Sequence, residues 1–137
     1  MKKFLLVLVF SFFFLYGFSN AQYIHDVVAR AYTSKLTIHY DPNDFMPNNS
    51  IRRDEAAKFF VNFAKSVGKA AYTVNANECQ FFDLDDAWED LRDTVVESCR
   101  IGIFRGSNGR FYPGGSLTNA ETIAALMRIV DGNQLEN

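Results

Sequence analysis

The chain resembles itself, and that restricts its fold more than any other feature. Laying Phe45-Met46-Pro47 over Phe111-Tyr112-Pro113 sets an offset of 66 residues, and the same offset puts Ile51 on Leu117, Arg53 on Asn119 and Glu55 on Glu121. Upstream, Leu36-Thr37-Ile38 falls on Ile101-Gly102-Ile103 at an offset of 65, a difference that a loop absorbs at little entropic cost. A short duplicated unit cannot close a core alone, so the copies are expected to pack on one another.

Hydrophobic spacing makes each copy helix, turn-rich loop, helix. Ile24, Val27, Val28 and Ala31 recur at i, i+3, i+4 and i+7, the stripe of an amphipathic helix. Tyr40 to Asn49 reads as a loop around the turn-forming Asp41-Pro42-Asn43-Asp44. An apolar helix then spans Ile51 to Val67 and stops at Gly68. Its Ala56, Ala57, Phe60, Val61, Phe63, Ala64 and Val67 cover more than one face, so it should lie buried at the centre. Later, Asp85 or Asp86 opens a helix that turns Leu91, Val95, Ser98 and Cys99 inward. Five glycines from Gly102 to Gly115 mark a tight loop, and Ile123, Leu126, Met127 and Val130 form a second stripe, closed by Gly132. The expectation is an all-α fold: a partial repeat over 22–68, a linker over 69–78, a repeat over 79–132 packed with the first as one small domain, and a tail over 133–137.

Lys2 and Lys3, the apolar run Phe4 to Phe18 and the small residues Ser19-Asn20-Ala21 read as a cleaved secretory signal over 1–21, which starts the mature chain at Gln22. Six of the fourteen Phe lie in that leader, so the 48% hydrophobic content overstates the greasiness of what remains. The net charge of −2 becomes more negative once both lysines leave, and no basic footprint for nucleic acid exists. Outside the cytoplasm, a disulfide between Cys79 and Cys99 is the default; two buried free thiols are the alternative. The bond requires Gln80 to Asp85 to run back along the following helix.

Thr118-Asn119-Ala120-Glu121 is a capping box, in which the Thr hydroxyl accepts from the Glu backbone N–H and the Glu carboxylate from the Thr N–H. Such a helix start also presents N–H groups and a positive dipole end to an anion. The equivalent Arg52-Arg53-Asp54-Glu55 lacks the hydroxyl but adds two guanidinium groups. Arg53 is the leading ligand candidate, against the simpler reading that Arg52 and Arg53 pair with acidic neighbours. The acidic run Asp83, Asp85, Asp86, Glu89, Asp90 and Asp93 suits a helix start and lacks EF-hand spacing. No catalytic carboxylate pair is spaced across a cleft, and His25 and His39 lie apart without metal-ligand partners. No catalytic residue, cofactor or metal is therefore expected.

Phe81-Phe82-Asp83-Leu84, a helix, Gly102-Ile103-Phe104-Arg105-Gly106, then Phe111-Tyr112-Pro113 and Leu117-Thr118-Asn119-Ala120-Glu121 together resemble an S-layer homology module across Phe81 to Gly132. Phe45-Met46-Pro47 and the stretch from Ile51 to Ala57 resemble the back half of another. The resemblance implies a helical repeat protein that attaches noncovalently to the cell envelope by gripping acidic, often pyruvylated, cell-wall polysaccharide. It places the family's ligand-gripping Arg at Arg53 and at Asn119; together with the helix-start reading above, the expected ligand-binding residues are Arg52, Arg53, Thr118 and Asn119, and the expected helix-capping residues Glu55, Thr118 and Glu121. Asn119 stands where the family places its gripping Arg, which removes a charge from the second site. The alternative is a structural interaction module of the envelope that has lost polymer binding. With fewer modules than the usual three, a homo-oligomer or a partner carrying similar modules would cover the apolar flank left open.

Overall fold

The structure, a computed structural model, describes residues 22–37 and 39–131. The signal-peptide reading of 1–21, the overlaid Ile38, the closing Gly132 and the 133–137 tail lie outside the described residues. The chain is mostly helical, and the described residues hold no strand, only isolated bridges between Arg52 and Ser116 and between Ser107 and Arg110. It divides into two compact units, one up to Pro47 and one from Asn48.

In the first unit, residues 22–33 form α1. Val28 is buried and Ile24 and Ala31 half-buried, but Val27, expected on the same stripe, is exposed. Lys35 ends α1 in the left-handed region, with Leu36 N–H on the Ala31 carbonyl. The expected loop contains one helical turn, α2 (Pro42–Phe45). Asp41 caps it by accepting from Asn43 N–H at 2.7 Å, Pro42 opens it, and left-handed Met46 closes it. The Tyr40 ring meets Tyr32 and His25 edge-on, which gives His25 a packing role.

The second unit holds α3 (Arg53–Ser66), α4 (Arg92–Ile101) and α5 (Asn119–Asp131), with three short 3-10 turns at Ala76–Cys79, Leu84–Asp86 and Glu89–Leu91. α3 is central, as its composition requires: Ala56, Ala57, Phe60, Val61 and Ala64 are all buried, and the alanines let α4 pack closely. It stops at Gly68, whose φ of 72° places it in the left-handed region while Lys69 N–H reaches the Ala64 carbonyl. Val95, Ile101, Ile103, Phe104, Phe111, Ala125 and Ile129 complete the core. Phe60, Phe104 and Phe111 interlock edge-on through it, with centroids 5.7 and 6.3 Å apart. The 69–78 linker is fastened to the end of α4: Thr73 and Val74 N–H both donate to the Arg100 carbonyl.

Cys79 and Cys99 are bonded, with Cα atoms 5.7 Å apart and both residues buried. The segment between Cys79 and α4 doubles back as the bond demands. Two expectations need correction. The helix does not open at Asp85 or Asp86, because Ala87 and Trp88 are extended (ψ 148° and 139°) and α4 begins at Arg92. The break is held by Arg92, whose guanidinium donates to the Asp85 carbonyl at 3.0 Å, and by Trp88 N–H, which donates to Asp54 at 3.3 Å.

The second correction concerns α5. Ile123, Leu126, Met127 and Val130 are exposed, and Ala125 and Ile129 are the buried positions. α5 is apolar on both sides, so its rotation is decided by its first turn. Glu121 faces α3 through its pair with Arg53, and Ala125 and Ile129 follow it at i+4 and i+8. The expected stripe consequently points outward.

Candidate functional site

The starts of α3 and α5 lie side by side, joined by the Arg52–Ser116 bridge and by Leu117 N–H donating to the Ile51 carbonyl. Arg52, at the N-cap of α3, donates from Nε to Asp54 Oδ1 at 3.0 Å and from Nη2 to Oδ2 at 2.8 Å, and lies over the Trp88 ring at 4.8 Å. The Asp54 carboxylate raises the guanidinium pKa above its ordinary value. Asp54 is fully buried and satisfied on all sides. It also accepts from Trp88 N–H and from Glu55 N–H, while its own N–H donates to the Pro113 carbonyl. An arginine has no acceptor with which to complete a capping box. Glu55 still accepts from Arg52 N–H at 3.1 Å, and Asp54 takes the bond that a Thr hydroxyl would have taken.

Arg53 lies in the seam between the two helix starts, its side chain 15% exposed. Its guanidinium pairs with Glu121 and covers the rings of Phe104 and Phe111 at 5.0 and 5.3 Å. Its N–H donates to the Gly115 carbonyl at 2.8 Å, and its Nε is buried without a hydrogen bond. Glu121 reaches back to Thr118, accepting from the backbone N–H at 3.0 Å and the hydroxyl at 2.8 Å, while Thr118 Oγ1 accepts from Glu121 N–H. The Thr118 N–H is the main cause of a Glu121 pKa below the usual carboxylate range; burial opposes it, and the Thr118 hydroxyl and Arg53 reinforce it.

The structure therefore joins Arg53, Thr118 and Glu121 in one network, and Arg52 and Glu55 with Asp54 in a second beside it. Asn119, at the first position of α5, is exposed and belongs to neither. Each of the two guanidinium groups is matched by a carboxylate, and Glu55 adds a third, so the seam has no surplus positive charge.

Asp83 is the residue whose part was not foreseen. Its two oxygens accept from Phe111 N–H and Tyr112 N–H, both at 2.8 Å, and fix the turn in which Tyr112 adopts a φ of 61°. Burial pushes its pKa up, but the Phe111 and Tyr112 N–H groups outweigh it and leave the carboxyl below its ordinary value. The rest of the acidic run is dispersed: Asp85 faces Arg92, and Asp90 faces Lys58. Among the described residues no group of three or more His, Cys, Asp or Glu is placed to hold a metal, and no helix is long and apolar enough to cross a membrane. No family model, curated protein or solved structure matches the chain.

Proposed function

We propose that this chain is a secreted, non-enzymatic attachment protein of the S-layer homology type, which holds acidic cell-wall polysaccharide noncovalently at the cell surface. The observation that carries the reading is the seam between α3 and α5. The two helices begin 66 residues apart, each with a glutamate accepting from the N-cap N–H. Each is preceded at the same interval by a left-handed residue ahead of a proline, Met46 in one and Tyr112 in the other. Arg53 stands between the two starts. A guanidinium offers five donors, so a ligand carboxylate can share Arg53 with Glu121 while Glu121 stays anchored on Thr118. Retention of the mature protein on purified pyruvylated wall polysaccharide tests this. Arg53→Ala should weaken retention about tenfold, the scale of one charge-assisted contact; equal retention of both proteins removes Arg53 from the mechanism.

One observation favours a scaffold that pairs with other envelope proteins instead. Arg52 and Arg53 are both neutralised within the molecule, while α5 presents Ile123, Leu126, Met127 and Val130 to solvent. Wild-type protein that ignores the polymer but self-associates in sedimentation would select this second reading.

A further inference from the structure

Away from the α3–α5 seam, the loop carrying Asp83's two bonds presents an aromatic ring to water. Phe82 is 84% exposed, the highest value among the exposed large apolar side chains of the described residues. Its neighbour Phe81 turns to the core and packs against Phe111 at 5.3 Å. The Phe82 ring is nevertheless not loose. Its N–H donates to the Gly109 carbonyl at 2.9 Å, and the ring lies on Gly109 so closely that a Cβ there would come within 2.4 Å of ring Cε2. Gly109 also has a φ of 72°, so both its backbone and the ring above it require glycine. The Cδ2–Cε2–Cζ side of the ring thereby rests against backbone, and most of the ring is open to water.

Next in the chain is Arg110, whose side chain is exposed. The carboxylate that feels its charge is Asp83, and both Asp83 oxygens already accept backbone N–H groups. The guanidinium keeps its donors available to an incoming anion, whereas Arg52 and Arg53 each already commit part of theirs to a carboxylate. Tyr112, whose N–H donates to Asp83, adds a half-exposed phenol to the same loop pair.

We propose that Phe82, seated on Gly109 and flanked by Arg110, is a stacking platform for an acidic sugar ring. An aromatic face offers its negative quadrupole to the C–H face of a pyranose, and a neighbouring guanidinium selects a sugar carrying a carboxylate. A seated ring loses little conformational freedom when the sugar arrives. This site deepens the polysaccharide reading above and rests on it.

The test compares wild type, Phe82→Ala, Phe82→Tyr and Arg110→Gln on two probes, purified pyruvylated wall polysaccharide and pentagalacturonate. On the wall polymer, Phe82→Ala should weaken binding about tenfold and Phe82→Tyr should restore it. Arg110→Gln should weaken it about fivefold and flatten its dependence on salt. Wild type that binds the polymer while Phe82→Ala and Arg110→Gln stay within twofold of it overturns the platform and leaves the attachment reading standing. Wild type that ignores the polymer defeats the attachment reading, and the platform is then decided by NMR titration with pentagalacturonate. Shifts concentrated at Phe82, Gly109 and Arg110 uphold it; their absence overturns it. Both side chains are exposed, so the variants should keep the wild-type circular dichroism spectrum.

Discussion

At the scale of single residues, the two buried carboxylates organise more of the molecule than any arginine does. Asp54 gathers Arg52, Glu55 and Trp88, and Asp83 holds the turn at Phe111 and Tyr112. Asp83→Asn keeps the shape but offers an NH2 where one backbone N–H needs an acceptor, which should cost about 1–3 kcal/mol in urea denaturation. Acid should act through the same atoms. The Asp83 and Glu121 carboxyls both titrate lower in the folded chain than in the unfolded one. Their contribution is therefore fully present above the unfolded value, about pH 4, and drains away as pH falls through the lower folded values. Wild type should lose stability below about pH 4, and Asp83→Asn should show a shallower fall over the same range. In the sequence, Asp54 looks like any acid in a helix's first turn, and Asp83 like one of six in a solvated run. Nothing local distinguishes a carboxylate that waits for N–H groups 28 residues away from one that faces water.

At the scale of elements, legibility depended on contrast. α3 could be read because its small and aromatic residues are dense and Gly68 marks its end. The inward residues Leu91, Val95, Ser98 and Cys99 were legible from spacing, although the start of α4 after Leu91 was not, since the break at Ala87 and Trp88 is imposed by Arg92 and by distant Asp54. α5 misleads because it is apolar on two sides, so periodicity finds a stripe but cannot say which one the core takes. The two faces should respond oppositely to mutation. Ile129→Ala empties a core position and should cost about 2–4 kcal/mol. Val130→Ser, one residue on, should change stability by no more than about 0.5 kcal/mol. Thermal or urea unfolding of the two variants checks the assignment, and equal losses would mean that α5 is rotated from the position described.

At the scale of the whole molecule, the disulfide closes the loop that contains Asp83, Trp88 and most of α4, 20 residues from Cys79 to Cys99. Replacing both cysteines with serine should lower stability by about 3 kcal/mol on the chain-entropy account, read as a shift in urea midpoint. That link was legible from the cysteine count and the reach of the chain. The partition into units was less so, because motif boundaries and packing boundaries are out of step. The motif places α3 at the back of the first copy, whereas its alanine face packs on α4 and α5. A fragment excised by motif, starting at Cys79, would leave behind the helix that fills the middle of its own interior. Whoever grafts or displays this protein should cut ahead of Asn48, treating the piece that follows as a keystone and its arch rather than as a repeat and a half.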